Sequence, residues 1–217
     1  MNILQKGFNT LGIDIFVILY HVWLYHRLGI SEKTTWSQIA LSVINFLFLR
    51  QLILLSVPFL NFNSEYTDQT IFVIIQTGFF YLVQEFYMYF VHRFMHWSKI
   101  CYNWIHRLHH TAKAECFTTA MYMSPIEILL HIFPDLMIGP IIFHFYYGYI
   151  YKEAFAIWTC LATFYFIWSH SGVTDSQYMP SVQHHWLHHK YYTVNYGTWL
   201  TDSLFGTIKH HDKCNDK

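Results

Sequence analysis

Four runs of about 20 residues pass almost without charge, and they confine the chain to folds that put helices through a bilayer. A membrane-spanning helix needs about 20 consecutive, mostly apolar residues. Residues 37–60 meet that length with one interior charge, Arg50, and residues 71–91 with one, Glu85. Residues 126–147 hold His131, Asp135, Pro134 and Pro140, so a break or kink is expected there. Residues 151–169 form the fourth run, and a shorter fifth, 11–26 with His21 and His26, reads equally as a span or as a helix lying in the interface. Composition agrees: only 12% of residues are charged, against about 25% in soluble domains. Aromatics reach 21%, which suits interfacial Trp and Tyr belts.

Charge orients the spans. Arg93, Lys99, Arg107 and Lys113 follow the second run, and Lys190, Lys209, Lys213 and Lys217 lie near the end of the chain, whereas the loop at 61–70 has no Lys or Arg. The positive-inside rule then places 93–113 and 184–217 on the cytosolic side. Residues 126–169 can form a hairpin that leaves that side and returns to it. Ser124-Pro125-Ile126-Glu127 supplies an N-cap, a proline at the first helical position and a glutamate at the third. MNILQKGFNT does not read as a cleaved signal, and neither end carries a lipidation motif. Zero formal net charge gives no sign of a nucleic-acid partner. Cys101, Cys116, Cys160 and Cys214 form no Cys-x-x-Cys and read as free buried thiols.

Ten of the 16 histidines stand in three clusters and one outlier. His92 and His96 lie in HRFMH; His106, His109 and His110 in HRLHH; His184, His185, His188 and His189 in HHWLHH; and His170 in WSHSG. On a helix, residues three and four apart share a face, so each cluster aims two or three imidazoles one way. Neutral imidazole is a common transition-metal ligand. Nine or ten are enough for two metals at about five each. His184 extends the arc of its cluster and reads as either a tenth ligand or a group supporting the others. His21, His26, His131, His144, His210 and His211 read as packed or interfacial residues, with His131 and His144 flanking the proline-broken run, where a substrate path could lie.

Spacing excludes several metal chemistries. HRFMH lacks the glutamate of a zincin, and no Glu-x-x-His of the soluble di-iron bundles occurs. Membrane haem sites bury their axial histidines within spans, whereas these clusters lie at span ends. A histidine-rich dimetal site beside lipid remains. Iron suits it, because iron activates dioxygen and zinc has no redox chemistry. Glu85 stands two turns before His92 and Asp202 near the third cluster, placed either to orient a ligating imidazole or, for Glu85, to join helices. Arg93 and Arg107 read as contacts to headgroups or to the acidic face of a redox partner.

The series HRFMH, HRLHH, HSG and HHWLHH followed by NYG resembles the fatty acid hydroxylase/sterol desaturase superfamily of membrane-bound di-iron oxygenases. QEFYMYFVHRFMH, SPIE and TDSLFGT are similar to its flanking segments, although Thr201 stands where the family usually has Trp. The resemblance covers about residues 80–208. It implies ligand roles for His92, His96, His106, His109, His110, His185, His188 and His189, with His170 as an extra ligand and Asn195 supporting the site. Some members have a further histidine where this chain has Phe166.

The expectation is therefore an all-α integral membrane bundle of about four spans, with a cytosolic helical cap carrying the dimetal site, in one domain over residues 1–217. The resemblance implies hydroxylation or desaturation of a bilayer lipid, leaning to a sterol, with two Fe ions (Zn standing in for them in a purified sample) and O2. Electrons would come from NAD(P)H through a separate b-type cytochrome and reductase, since no His-Pro-Gly-Gly haem motif or room for a flavin domain is present. In a eukaryote the endoplasmic reticulum membrane is expected. A fatty acyl or sphingolipid hydroxylase and a non-catalytic membrane metal-handling protein are the alternatives.

Overall fold

The computed structural model describes residues 35–63, 70–112, 119–171 and 180–210. The run at 11–26, with His21 and His26, and residues His211, Cys116 and Cys214 lie outside the described residues. Four longer helices pack side by side: α1 (Trp36–Ser56), α2 (Thr70–Trp97), α6 (Phe133–Tyr147) and α7 (Lys152–Ser169). Between α2 and α6 come three short helices, α3 (Lys99–Cys101), α4 (Arg107–Thr111) and α5 (Pro125–Glu127). Two more, α8 (Pro180–Tyr191) and α9 (Trp199–Leu204), follow α7. π-helical turns at Tyr102–His106 and Ile128–Ile132 link α3 to α4 and α5 to α6.

Three helices among the described residues are long and apolar enough to cross a membrane: Trp36–Phe59, Thr70–Trp97 and Pro125–Tyr147. The expected fourth, 151–169, is helical as α7 but falls short. Its 18 residues suffice in length, but it opens on Lys152 and Glu153 and carries Thr, Tyr and Trp side chains, so it is not apolar enough. The helices alternate in direction, so α2 and α7 end on the same side as the start of α1 and of α5. At the other end, β1 (Phe62–Asn63) pairs in parallel with β2 (Ile150–Tyr151), and Gln76 Oε1 accepts from Tyr151 N.

Local signals explain the elements. Thr35 and Gln38 form a capping box at the start of α1. The buried residues of α2 (Gln76, Phe80, Gln84, Glu85, Tyr89, His92, Met95) recur at helical spacing and form one inward stripe. Ile71, Phe72, Ile75, Leu82, Phe86 and Phe90 are exposed on the same helix, as suits a lipid-facing surface. Gly139 lets α6 approach α2 closely, since a Cβ there would meet Phe80 Cα at 2.9 Å.

Ser124 caps α5 as expected, accepting from Glu127 N at 3.1 Å. The expected irregularity in this run is a π turn followed by two prolines, not a break. A proline offers no N–H to the carbonyl four residues back. For Pro134 that carbonyl is Leu130, which accepts from the Tyr87 hydroxyl at 2.8 Å. For Pro140 it is Leu136, which accepts from Trp158 Nε1 at 2.9 Å. Neighbouring helices thus satisfy the groups that the prolines release within an apolar interior. Cys101 is half-buried and Cys160 exposed, both as free thiols, which corrects the expectation that they are buried.

Candidate metal centre

The histidine-bearing segments meet at one end of the bundle. His92 and His96 occupy the last turns of α2, one turn apart. The π turn delivers His106, and α4 delivers His109 and His110. His170 closes α7, and α8 carries His184, His185, His188 and His189. Nine of these imidazoles sort into two groups, each with its nitrogens within 4.8 Å of one another: His92, His96, His106, His110 and His188 in one, and His109, His170, His185 and His189 in the other.

Two adjacent pairs hold the groups together. His109 and His110 point to different groups, and so do His188 and His189. The rings of His110 and His189, one from each group, lie with centroids 4.4 Å apart. His184 joins neither group. Its Nε2 lies 2.9 Å from Asp202 Oδ2.

Hydrogen bonds behind the rings decide what faces inward. His92 Nδ1 donates to the Tyr196 carbonyl, His188 Nδ1 to the Val194 carbonyl at 2.8 Å, and His170 Nδ1 to the Phe166 carbonyl at 3.0 Å. His106 Nδ1 donates to Glu127 Oε1 at 2.7 Å. A carbonyl or carboxylate only accepts, so each of these rings carries its proton on Nδ1 and presents a bare Nε2 lone pair. His92 Nε2 and His106 Nε2 nevertheless lie 3.0 Å apart. Two lone pairs at that distance repel unless a cation sits between them.

Spacing fits a metal as well. Nitrogens bound at about 2.1 Å, at adjacent corners of an octahedron, lie about 3 Å apart. The Nε2–Nε2 separations are 2.9 Å for His106–His110, 3.1 Å for His96–His110 and 3.2 Å for His110–His188. In the second group they are 3.0 Å for His170–His185 and His185–His189, and 3.3 Å for His109–His170. Burial, reinforced by the neighbouring imidazoles, holds His106, His109, His110, His185, His188 and His189 well below the ordinary imidazole range. Burial brings His170 down to about 4. All seven are neutral at pH 7, the form that ligates.

The loop 192–198 is shaped to support the first group. Asn195 adopts φ 55°, a left-handed conformation that Asn tolerates. Its amide bonds to the His184 and Lys209 carbonyls and to Lys209 N. Asp202, fully buried, accepts from Tyr196 N, Gly197 N, His184 Nε2 and Thr207 Oγ1. Burial alone would raise the Asp202 carboxyl, but these donors outweigh it and hold it below the usual range. Glu85 accepts from the Thr198 hydroxyl, which caps α9. Glu85 therefore acts on the loop and not on a ring nitrogen, and Arg93 bonds Tyr89 Oη at 2.7 Å beneath Tyr196.

A cavity of about 680 Å³ leads from the groups into the bundle. His92, His109 and His185 stand at one end, and Thr77, Leu49 and Leu136 line it farther in. From Thr77 to His92 is 15 residues of helix, about 22 Å. Its wall is mostly apolar.

Residues 77–207 match the family model described as fatty acid hydroxylase. The chain belongs to this family. Among curated relatives of this fatty acid hydroxylase domain are two methylsterol monooxygenases of Aspergillus fumigatus. Erg25A is 32% identical, over 59% of this chain and 45% of the relative, and erg25B is 30% identical, over 57% and 43%. Methylsterol monooxygenase 1 of Rattus norvegicus is 27% identical, over 60% and 45%. The chain thus spans less than half the length of these relatives. No solved structure matches it at a comparable level.

Where this fatty acid hydroxylase chain departs from the family pattern, local contacts account for the change. Thr201 is wholly buried and closes the capping box of α9 with Thr198. Phe166 contributes its carbonyl to His170, leaving four imidazoles in the second group. Sequence reasoning assigned Glu127 to capping and missed its contact with His106; a carboxylate at the start of an apolar run was the available signal. His131, read as packing, is buried beside His92, with ring centroids 5.6 Å apart. His144 accepts from Asn61 N at the far end of the bundle, and His210 is exposed.

Proposed function

We propose that the chain is the catalytic domain of a membrane-bound non-haem di-iron oxygenase that hydroxylates or desaturates a lipid, leaning to a sterol. The observation that carries this reading is the pair of imidazole groups, with lone pairs converging at one end of a long apolar cavity. Family membership and relatives named methylsterol monooxygenase support it.

The first group would hold one iron through His92, His96, His106, His110 and His188, and the second group would hold the other through His109, His170, His185 and His189. Iron bound there supplies the redox chemistry that turns dioxygen on an unactivated C–H bond. The protein's own residues do the rest. Glu127 and the carbonyls of residues 166, 194 and 196 keep each proton on Nδ1 and each Nε2 aimed inward. The apolar wall aligns a lipid chain or ring system along the cavity and excludes water from the reacting end. Electrons arrive from outside the chain, through a b-type cytochrome and a reductase that draws on NAD(P)H. The cationic segment 93–113 supports a cytosolic position for the centre, at the endoplasmic reticulum in a eukaryote.

The purified protein should carry about two irons per chain and consume O2 only when both lipid and reductant are present. Metal uptake into proteoliposomes without O2 consumption contradicts the reading and favours metal transport. Lipid profiling of cells expressing wild type or His109→Ala names the substrate, as a product found only with wild type.

A further inference from the structure

The mostly apolar cavity wall contains a polar strip that none of the chemistry above uses. His131, at the end of the π turn, and Asp135, one helical turn farther in, share a face of the same span, and both line the cavity. Gln84, across on α2, also lines it and donates through Nε2 to Asp135 Oδ2 at 3.0 Å. Three atoms of the strip are buried and lack a hydrogen-bond partner among the described residues: Asp135 Oδ1 and both ring nitrogens of His131. The nearest carboxylate oxygen to His131 Nδ1, Glu127 Oε1, is 4.0 Å away and engaged with His106. Buried polar groups in native proteins are nearly always paired, and in an apolar surround an unpaired one is costly. His131 belongs to neither imidazole group, so a metal does not account for it.

We propose that His131, Asp135 and Gln84 form a hydroxyl-binding subsite, so that the cavity selects lipids bearing a hydroxyl over hydrocarbons of the same skeleton. A hydroxyl is both donor and acceptor, and it complements a carboxyl oxygen and an imidazole set one turn apart. The His131 ring lies 5.6 Å from that of His92, so the hydroxyl end of the lipid docks beside the first imidazole group, and the rest of the lipid extends toward Thr77 and Leu49. This deepens the oxygenase reading and rests on it for the purpose of the cavity, but hydroxyl recognition needs neither iron nor turnover.

The test is equilibrium binding to the full chain in phosphatidylcholine nanodiscs, with two matched pairs of probes: cholesterol against 5-cholestene, and hexadecanol against hexadecane. Wild type should prefer the alcohol by about tenfold in at least one pair. His131→Phe and Asp135→Leu should each reduce that ratio toward one while leaving the hydrocarbon affinity within about threefold of wild type. Should a variant lose hydrocarbon binding too, the polar variants His131→Gln and Asp135→Asn must keep the preference. No preference in either pair for wild type means that water or protein fills the strip, and it overturns the proposal, as does a preference that survives both apolar variants or is lost in both polar ones. A chain that prefers the alcohol but holds no iron keeps the subsite and loses the oxygenase reading. One that oxidises lipids with no preference for the alcohol does the reverse.

Discussion

Glu127 Oε1 accepts the Nδ1 proton of His106 at 2.7 Å, with both side chains 1% exposed. This contact spans two segments that the sequence separates, the second histidine cluster and the start of the third long run. It fixes the tautomer of His106 and makes its Nε2 a stronger donor toward a metal. The other oxygen of this buried carboxyl group, Oε2, has no hydrogen-bond partner among the described residues.

Glu127→Ala removes that acceptor. Metal affinity of the first group is expected to fall about 10- to 100-fold, with the second group less affected. Competition with a chelator of known affinity measures it; unchanged retention contradicts the role given to Glu127.

His109→Ala and His110→Ala separate the two groups, although the residues are adjacent in sequence. Each variant should lose one of two metals, dropping the content from about two to about one per chain, and the double variant should lose both. Elemental analysis of protein loaded with iron under reducing conditions reads the outcome. A single variant that empties both positions would mean the two groups bind as one unit.

Acid should weaken the metal-free fold. Seven imidazoles outside the spans have folded values below the unfolded value of about 6.5. Above about pH 6.5 neither state takes up protons there, so nothing is lost. As pH falls further, the unfolded chain binds protons that the fold excludes, at about 1.4 kcal/mol per pH unit for each such ring. For His170 the loss levels off only near pH 4. Thermal denaturation of chelator-stripped protein, followed by tryptophan emission, should show a midpoint falling between pH 7 and pH 5. A flat profile contradicts the burial of these rings.

Gly197→Ala should damage the loop behind the first group. A Cβ at Gly197 would overlap the buried Thr201 Oγ1 and crowd Tyr89 at 3.2 Å, so Thr201 or the loop must shift, and a loop shift carries the Tyr196 carbonyl away from His92. A stability loss of about 1–3 kcal/mol is expected, together with weaker metal retention. Denaturation midpoint and metal content on the same sample check both parts.

The sequence disclosed much of this, and the reasons for the remainder are physical. Hydropathy marks a span wherever an apolar run is long enough, so the helices over Trp36–Phe59, Thr70–Trp97 and Pro125–Tyr147 were legible. Helix α7 was legible as a helix, but its polar start and aromatic content blur its relation to the membrane. Periodicity showed which histidines share a face. It could not show that His109 parts from His106 and His110, because that depends on where α7 and α8 meet α4, through contacts such as His109–His170 and His110–His188 that are distant in sequence. His184 shares the face of His188 yet is drawn to Asp202, a residue 18 positions on. Glu127 was hidden by its agreement with a capping motif, since one residue can satisfy a local rule and serve a distant partner. His131 was legible only as a residue flanking a run where a substrate path could lie, because a lone histidine carries no periodic signal.

The most direct measurement of the central claim is anomalous X-ray scattering at the iron edge from crystals of iron-loaded protein. Two peaks per chain are expected, one among the Nε2 atoms of His92, His96, His106, His110 and His188 and one among those of His109, His170, His185 and His189. No peak at either place, or a single ion held elsewhere, would contradict it.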